Sequence, residues 1–111
     1  MQKLVLVFRG IDDIPAFDQA WSQRFVPTAE NMPGLRRIMV SRVQGSVSGD
    51  TAIHLLHELH FDDQRALEAA MGSPEGQAAG KLLLEIAGDH VELLFAEHLE
   101  DIPRASSASQ P

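Results

Sequence analysis

The sequence predicts an α+β fold with the element order β-α-β-β-α-β, in which one four-stranded antiparallel sheet carries helices on a single face. Three observations lead to that prediction. Leu4 to Phe8 and Val91 to Ala96 are apolar at both side-chain parities, the pattern of strands buried on both faces. Phe17, Trp21 and Phe25 recur every four positions, which stacks them along one helical face. A strand pair, Leu35 to Val43 and Ile53 to Phe61, lies between that helix and a second helical region.

Each element follows from local chemistry. In the first strand Leu4, Leu6 and Phe8 take one face and Val5 and Val7 the other. Arg9-Gly10-Ile11-Asp12-Asp13 turns the chain, with an aspartate to cap and Pro15 in the first helical turn. Pro27 is expected to disturb this helix near its end, and Pro33-Gly34 marks the turn into the second strand. Gly45 to Asp50 is a polar loop. In the third strand Ile53, Leu55, His57, Leu59 and Phe61 form the more apolar row and are expected to face the helices. His54, Leu56, Glu58 and His60 then point away from them. Asp62 or Asp63 caps the next helix, whose buried stripe reads Leu67, Ala70 and Met71. Gly72-Ser73-Pro74 breaks it, and a new helix carrying Ala78, Leu82, Leu83 and Ile86 runs to Gly88. Residues 1–103 read as one domain, and 104–111, rich in Ser, Ala and Pro, as a flexible tail.

This is a split βαβ arrangement, and its helices cover only one side of the sheet. The other side is too apolar to stay wet, so a homodimer paired through the helix-free face is expected. Covering several hundred Å² on each partner contributes on the order of 10 kcal/mol before ordering costs.

Composition narrows the function. The 111 residues hold 9 basic and 16 acidic side chains, a net charge of -7, with no cysteine and no tyrosine. Nucleic acid and anionic membranes are therefore excluded as expected partners, and so is thiol or disulfide chemistry. The apolar run at the N-terminus ends at Arg9, too short for a signal core or a membrane span, so a cytoplasmic location is expected. Dinucleotide, P-loop, zincin and serine-elbow motifs are all missing from the sequence.

The candidate catalytic residues sit in the third strand: His54, His57, Glu58 and His60. His54 and Glu58 are roughly 13 Å apart along a strand and cannot share a metal, whereas Glu58 and His60 are roughly 6.6 Å apart on one face. That pair suits proton transfer, or two metal ligands for which the local sequence supplies no third, so no metal is expected. The plain structural alternative is that His57 is a satisfied core histidine and that Glu58 and His60 hydrogen-bond across a dimer seam. Phe17, Trp21 and Phe25 are core residues by spacing, and Trp21 and Phe25 are also candidate walls of a cavity for a hydrophobic small molecule. His90 and His98 bracket the last strand and carry no expectation beyond a surface role.

The runs Phe17-Asp18-Gln19-Ala20-Trp21, Phe25-Val26-Pro27, Pro33-Gly34-Leu35-Arg36-Arg37, His54 to Asp62 and Ser73-Pro74-Glu75-Gly76-Gln77, taken in order, resemble the EthD family of the dimeric α/β-barrel superfamily. The resemblance spans about residues 3–97. It implies a ferredoxin-like protomer that pairs by its sheet into a barrel, and a place alongside an oxidative degradation system for ethers or other xenobiotics. It also implies cofactor-independent chemistry on an apolar organic molecule; a non-catalytic binding or accessory protein with the same dimer and cavity is the alternative. His54 and Glu58 match the family's third-strand pattern, while His57 and His60 stand where a small residue and an aromatic are more usual. Phe25 departs from it too, because the family's first helix places a histidine directly before Val-Pro.

Overall fold

The computed structural model describes residues 1–103. The tail expected at 104–111 lies outside the described residues. The chain runs β1 (Gln2–Arg9), α1 (Ile14–Ala20), a π-helical turn (Trp21–Phe25), α2 (Val26–Ala29), β2 (Arg37–Arg42), β3 (Ile53–Phe61), α3 (Gln64–Gly72), α4 (Pro74–Ala87) and β4 (Val91–Glu97). The four strands form one sheet in the order β2-β3-β1-β4, antiparallel throughout. This is the ferredoxin-like α+β arrangement that the element order predicts.

The turns and caps behave as their residues dictate. Asp13, Asp63 and Ser73 accept the backbone N–H of Ala16, Ala66 and Gly76, each satisfying a donor at a helix start. Met32-Pro33-Gly34-Leu35 closes as a type II turn, with Gly34 at φ 80° and the Leu35 N–H on the Met32 carbonyl at 3.4 Å. Gly76 is a second obligate glycine for a different reason. A Cβ there would run into the Ala70 carbonyl and the Met71 backbone, so only glycine lets α4 start against the end of α3.

Pro27 does not end the first helical region. Proline has no N–H to give and its ring crowds the preceding turn, and the chain absorbs both by widening one turn upstream. The Val26 N–H reaches back to the Trp21 carbonyl, and the Thr28 hydroxyl donates to the Arg24 carbonyl at 3.0 Å. Helix then continues to Ala29.

The core lies between helices and sheet. Leu4, Leu6 and Phe8 of β1 and Leu55, Leu59 and Phe61 of β3 pack against Phe17, Trp21, Phe25, Leu67 and Leu83. The α4 stripe is Ala79, Leu83 and Ala87, with Leu82 and Ile86 at its margin, so the expected Ala78 is replaced by its neighbour. Short residues at 79 and 87 let the helix sit close. Strand β2 is shorter than the predicted Leu35 to Val43 and exposed along its whole length, as befits an edge. On β4, Phe95 keeps 59% of its surface exposed, and Leu93 and Leu94 are exposed too. Among the described residues no helix is long and apolar enough to cross a membrane.

Candidate functional site

Strand alternation divides the candidate residues between two faces. Leu6 pairs with His57, Val5 with Glu58 and Lys3 with His60, so His57 shares the helix-side face with Leu6 while Glu58 and His60 share the opposite one. His54 leaves the row in which its parity puts it. Phe8 pairs with Leu55 and Arg9 with Ile53, which makes His54 the extra residue of a β-bulge. The bulge turns its ring toward the first helix, where Nε2 lies 2.9 Å from Asp18 Oδ1 and the ring meets the edge of Phe17. Arg42 reaches the same carboxylate at 3.4 Å and lies over the Trp21 ring.

His57 is 1% exposed, with Trp21 and Phe25 edge-on at centroid distances of 5.3 and 5.7 Å. The Trp21 indole N–H donates to His57 Nδ1 at 3.2 Å. An indole can only donate, so Nδ1 must be the acceptor and the neutral ring carries its proton on Nε2. Burial in this apolar setting pushes the His57 pKa down from 6.5 to about 4. Its Nε2 is buried with no partner among the described residues, an arrangement that costs about 1–3 kcal/mol. The basic nitrogen is therefore occupied, and the free one is a donor.

Beside this layer a cavity of about 220 Å³ opens between the helices and the sheet. Leu4, Leu6, Leu59 and Leu93 form its floor, with Phe25, Met32, Met71 and Leu83 among its walls. Among the described residues Gln77 is the one polar side chain in the lining, and Phe25 stands between this space and His57. Trp21 packs against His57 but is not part of the wall, and Phe17 lies further along the core against Phe8.

On the opposite face Glu58 accepts a hydrogen bond from Lys3 Nζ at 2.8 Å and faces His60 Nε2 at 3.1 Å. Partial burial works to raise the Glu58 pKa, but the Lys3 and His60 hydrogen bonds outweigh it and hold the carboxyl below its ordinary value. Burial lowers the His60 pKa against the pull of Glu58. An ionised carboxylate only accepts, so a neutral His60 has its proton on Nε2 and a bare lone pair on Nδ1, which has no partner among the described residues. His98 lies against the His60 ring at 4.4 Å and is held by Glu100, 2.7 Å from Nε2. The sequence alone gives His98 no more than a surface role, because nothing local signals that the segment after β4 turns back over β3.

A ferredoxin-like protein with an apolar space between helices and sheet, and a buried histidine behind it, is the class that fold and site define. The particular family follows from likeness to solved structures. The chain is 33% identical to an EthD family protein of Bacillus halodurans, covering 89% of this chain and 99% of that one with a TM-score of 0.87, and it belongs to the EthD family. It is also 25% identical to an uncharacterised 11.0 kDa protein of Rhodococcus erythropolis, over 93% of this chain and the whole of the other. SnoaB of Streptomyces nogalater, a cofactor-independent oxygenase, shares the fold at 16% identity and a TM-score of 0.67, covering 92% and 96% of the two chains. No family model matches the sequence.

Proposed function

We propose that this chain is a cytoplasmic homodimer paired through its helix-free sheet face, and that it acts without a cofactor on a small apolar organic molecule held in the helix–sheet cavity. Oxidative degradation of ethers or other xenobiotics is the setting that family membership favours. The single observation carrying the reading is the buried Nε2–H of His57, without a partner among the described residues, next to a wall of an apolar cavity. Natural cores pair their donors, so an orphan beside a ligand-sized space suits a substrate oxygen. At about 220 Å³ the cavity is smaller than the ~300–1,000 Å³ of drug-sized sites, which favours a short ether or a single ring. His57 would polarise that oxygen as a donor rather than remove a proton, because Trp21 holds its basic nitrogen. Phe25 would have to turn aside to admit the substrate to it. Glu58 and His60 face away from this space and would serve assembly. His54, tied to Asp18, would steady the helix against β3.

One observation favours a non-catalytic binding or accessory role: Phe25, where the resemblance implies a histidine, separates His57 from a lining whose only polar side chain among the described residues is Gln77. A single experiment separates the two. Trp21 fluorescence is titrated with tert-butyl ethers and toluene, and product is sought by mass spectrometry in wild type and His57→Ala. Binding by both proteins with turnover only in wild type supports the enzyme. Binding without turnover supports the accessory role, and failure to bind sinks both.

A further inference from the structure

We infer that Glu58, His60 and His98 form a binding site for a late first-row divalent cation of the zinc and cobalt type, on the face of the sheet opposite the helix–sheet cavity. Each of the three contributes one donor atom, and these atoms lie within 4.8 Å of one another. Two imidazoles and a carboxylate are the donor set that such ions prefer over magnesium or calcium, which take oxygen ligands. The local sequence holds only Glu58 and His60; the third ligand comes from the far end of the chain, where His98 donates its backbone N–H to the Met1 carbonyl and is thereby fixed over β1 and β3.

Two features bear on a ligand there. His60 is 0% exposed and turns Nε2 toward Glu58 at 3.1 Å, so an ion shared with Glu58 would take Nε2 in place of its proton and leave the proton on Nδ1, which has no partner among the described residues. His98 is oriented by Glu100, itself gripped by Arg37 at 2.6 Å, the carboxylate-to-histidine support that metal-binding imidazoles characteristically have. Lys3 opposes the ion, since its ammonium sits 2.8 Å from Glu58 Oε1 and must give way when the cation arrives. That competition gives the site a sign to test: removing Lys3 tightens binding. The site is separate from the cavity and stands or falls independently of its substrate.

The test uses the full chain, freed of metal by a chelator and titrated with Co²⁺ and then Zn²⁺ by calorimetry and by the visible absorption of Co²⁺. One ion per chain is expected. His98→Ala and Glu58→Gln should each weaken binding at least ~10-fold, with Glu100→Gln weakening it by a similar factor through the support it gives His98. Lys3→Met should bind more tightly than wild type, and His90→Ala, on the exposed turn before β4, should bind as wild type does. Circular dichroism verifies that each variant is folded, and Glu58→Gln keeps the shape of the side chain it replaces. The inference is overturned if wild type takes up no ion, if His98→Ala binds as well as wild type, or if Lys3→Met fails to tighten binding.

Discussion

His57 and His60 are three residues apart on one strand, equally buried, and chemically opposite. On the helix side an indole N–H occupies Nδ1 of His57, leaving a spare proton in an apolar layer. On the other side a carboxylate faces Nε2 of His60, leaving a spare lone pair among charges. The contrast teaches that the neighbour, not the residue type or its degree of burial, sets what a buried imidazole offers. A donor-only partner makes it a donor, and an acceptor-only partner makes it an acceptor.

The largest expected effect breaks the outer face itself. Val7 is buried on the face that carries Lys3 and Val5, and Val7→Asp would place an unpaired charge there. A loss on the order of 3 kcal/mol or more is expected, read as dissociation in light scattering with unfolding at a lower denaturant concentration. A wild type that sediments as a monomer at micromolar concentration would remove the assembly part of that expectation.

Acid should lower stability in two stages. The folded pKa of His57 lies below its unfolded value, so the unfolded chain binds the extra proton and stability is full above about pH 6.5 and falls as pH drops toward 4. The gap between 6.5 and about 4 corresponds to about 3 kcal/mol. The His60 pKa is also lowered by burial, so it contributes with the same sign. Glu58 acts lower: its contribution is complete above its unfolded pKa and is lost as pH falls through its depressed folded pKa. His57→Leu should remove most of the upper loss in urea melts taken between pH 7 and 4 while leaving the lower one. An unchanged upper loss would mean that His57 titrates normally.

Smaller effects sharpen the division. Trp21→Phe strips Nδ1 of its donor, and about 1 kcal/mol of coupling to His57 is expected in a double-mutant cycle with His57→Leu. Zero coupling would reduce the contact to packing. Glu58→Ala should cost the helix side nothing and weaken assembly by a few-fold, read as an increase in the dimer dissociation constant. An unaltered constant would sink that role for Glu58.

Much of this chain is legible without its structure, because strand alternation, caps and turns depend on residues a few positions apart. The parity of Ile53 to Phe61 already separates His57 from Glu58 and His60, and Asp63, Ser73 and Pro33-Gly34 announce their helix starts and turn. What the tertiary structure alone decided lies where distant segments meet. Alternation assigns His54 to the outer row, but a bulge opposite the end of β1 and the Asp18 carboxylate on α1 draw it inward. Periodicity marks Trp21 as core, while its bond to His57 depends on how helix and sheet are set against each other. His98 reads as an unremarkable surface residue until the segment after β4 folds back and lays it on His60. A local rule carries the direction of a side chain from its own backbone; it carries no information about which remote atom will be waiting there, and that atom sets the proton, the charge and the chemistry.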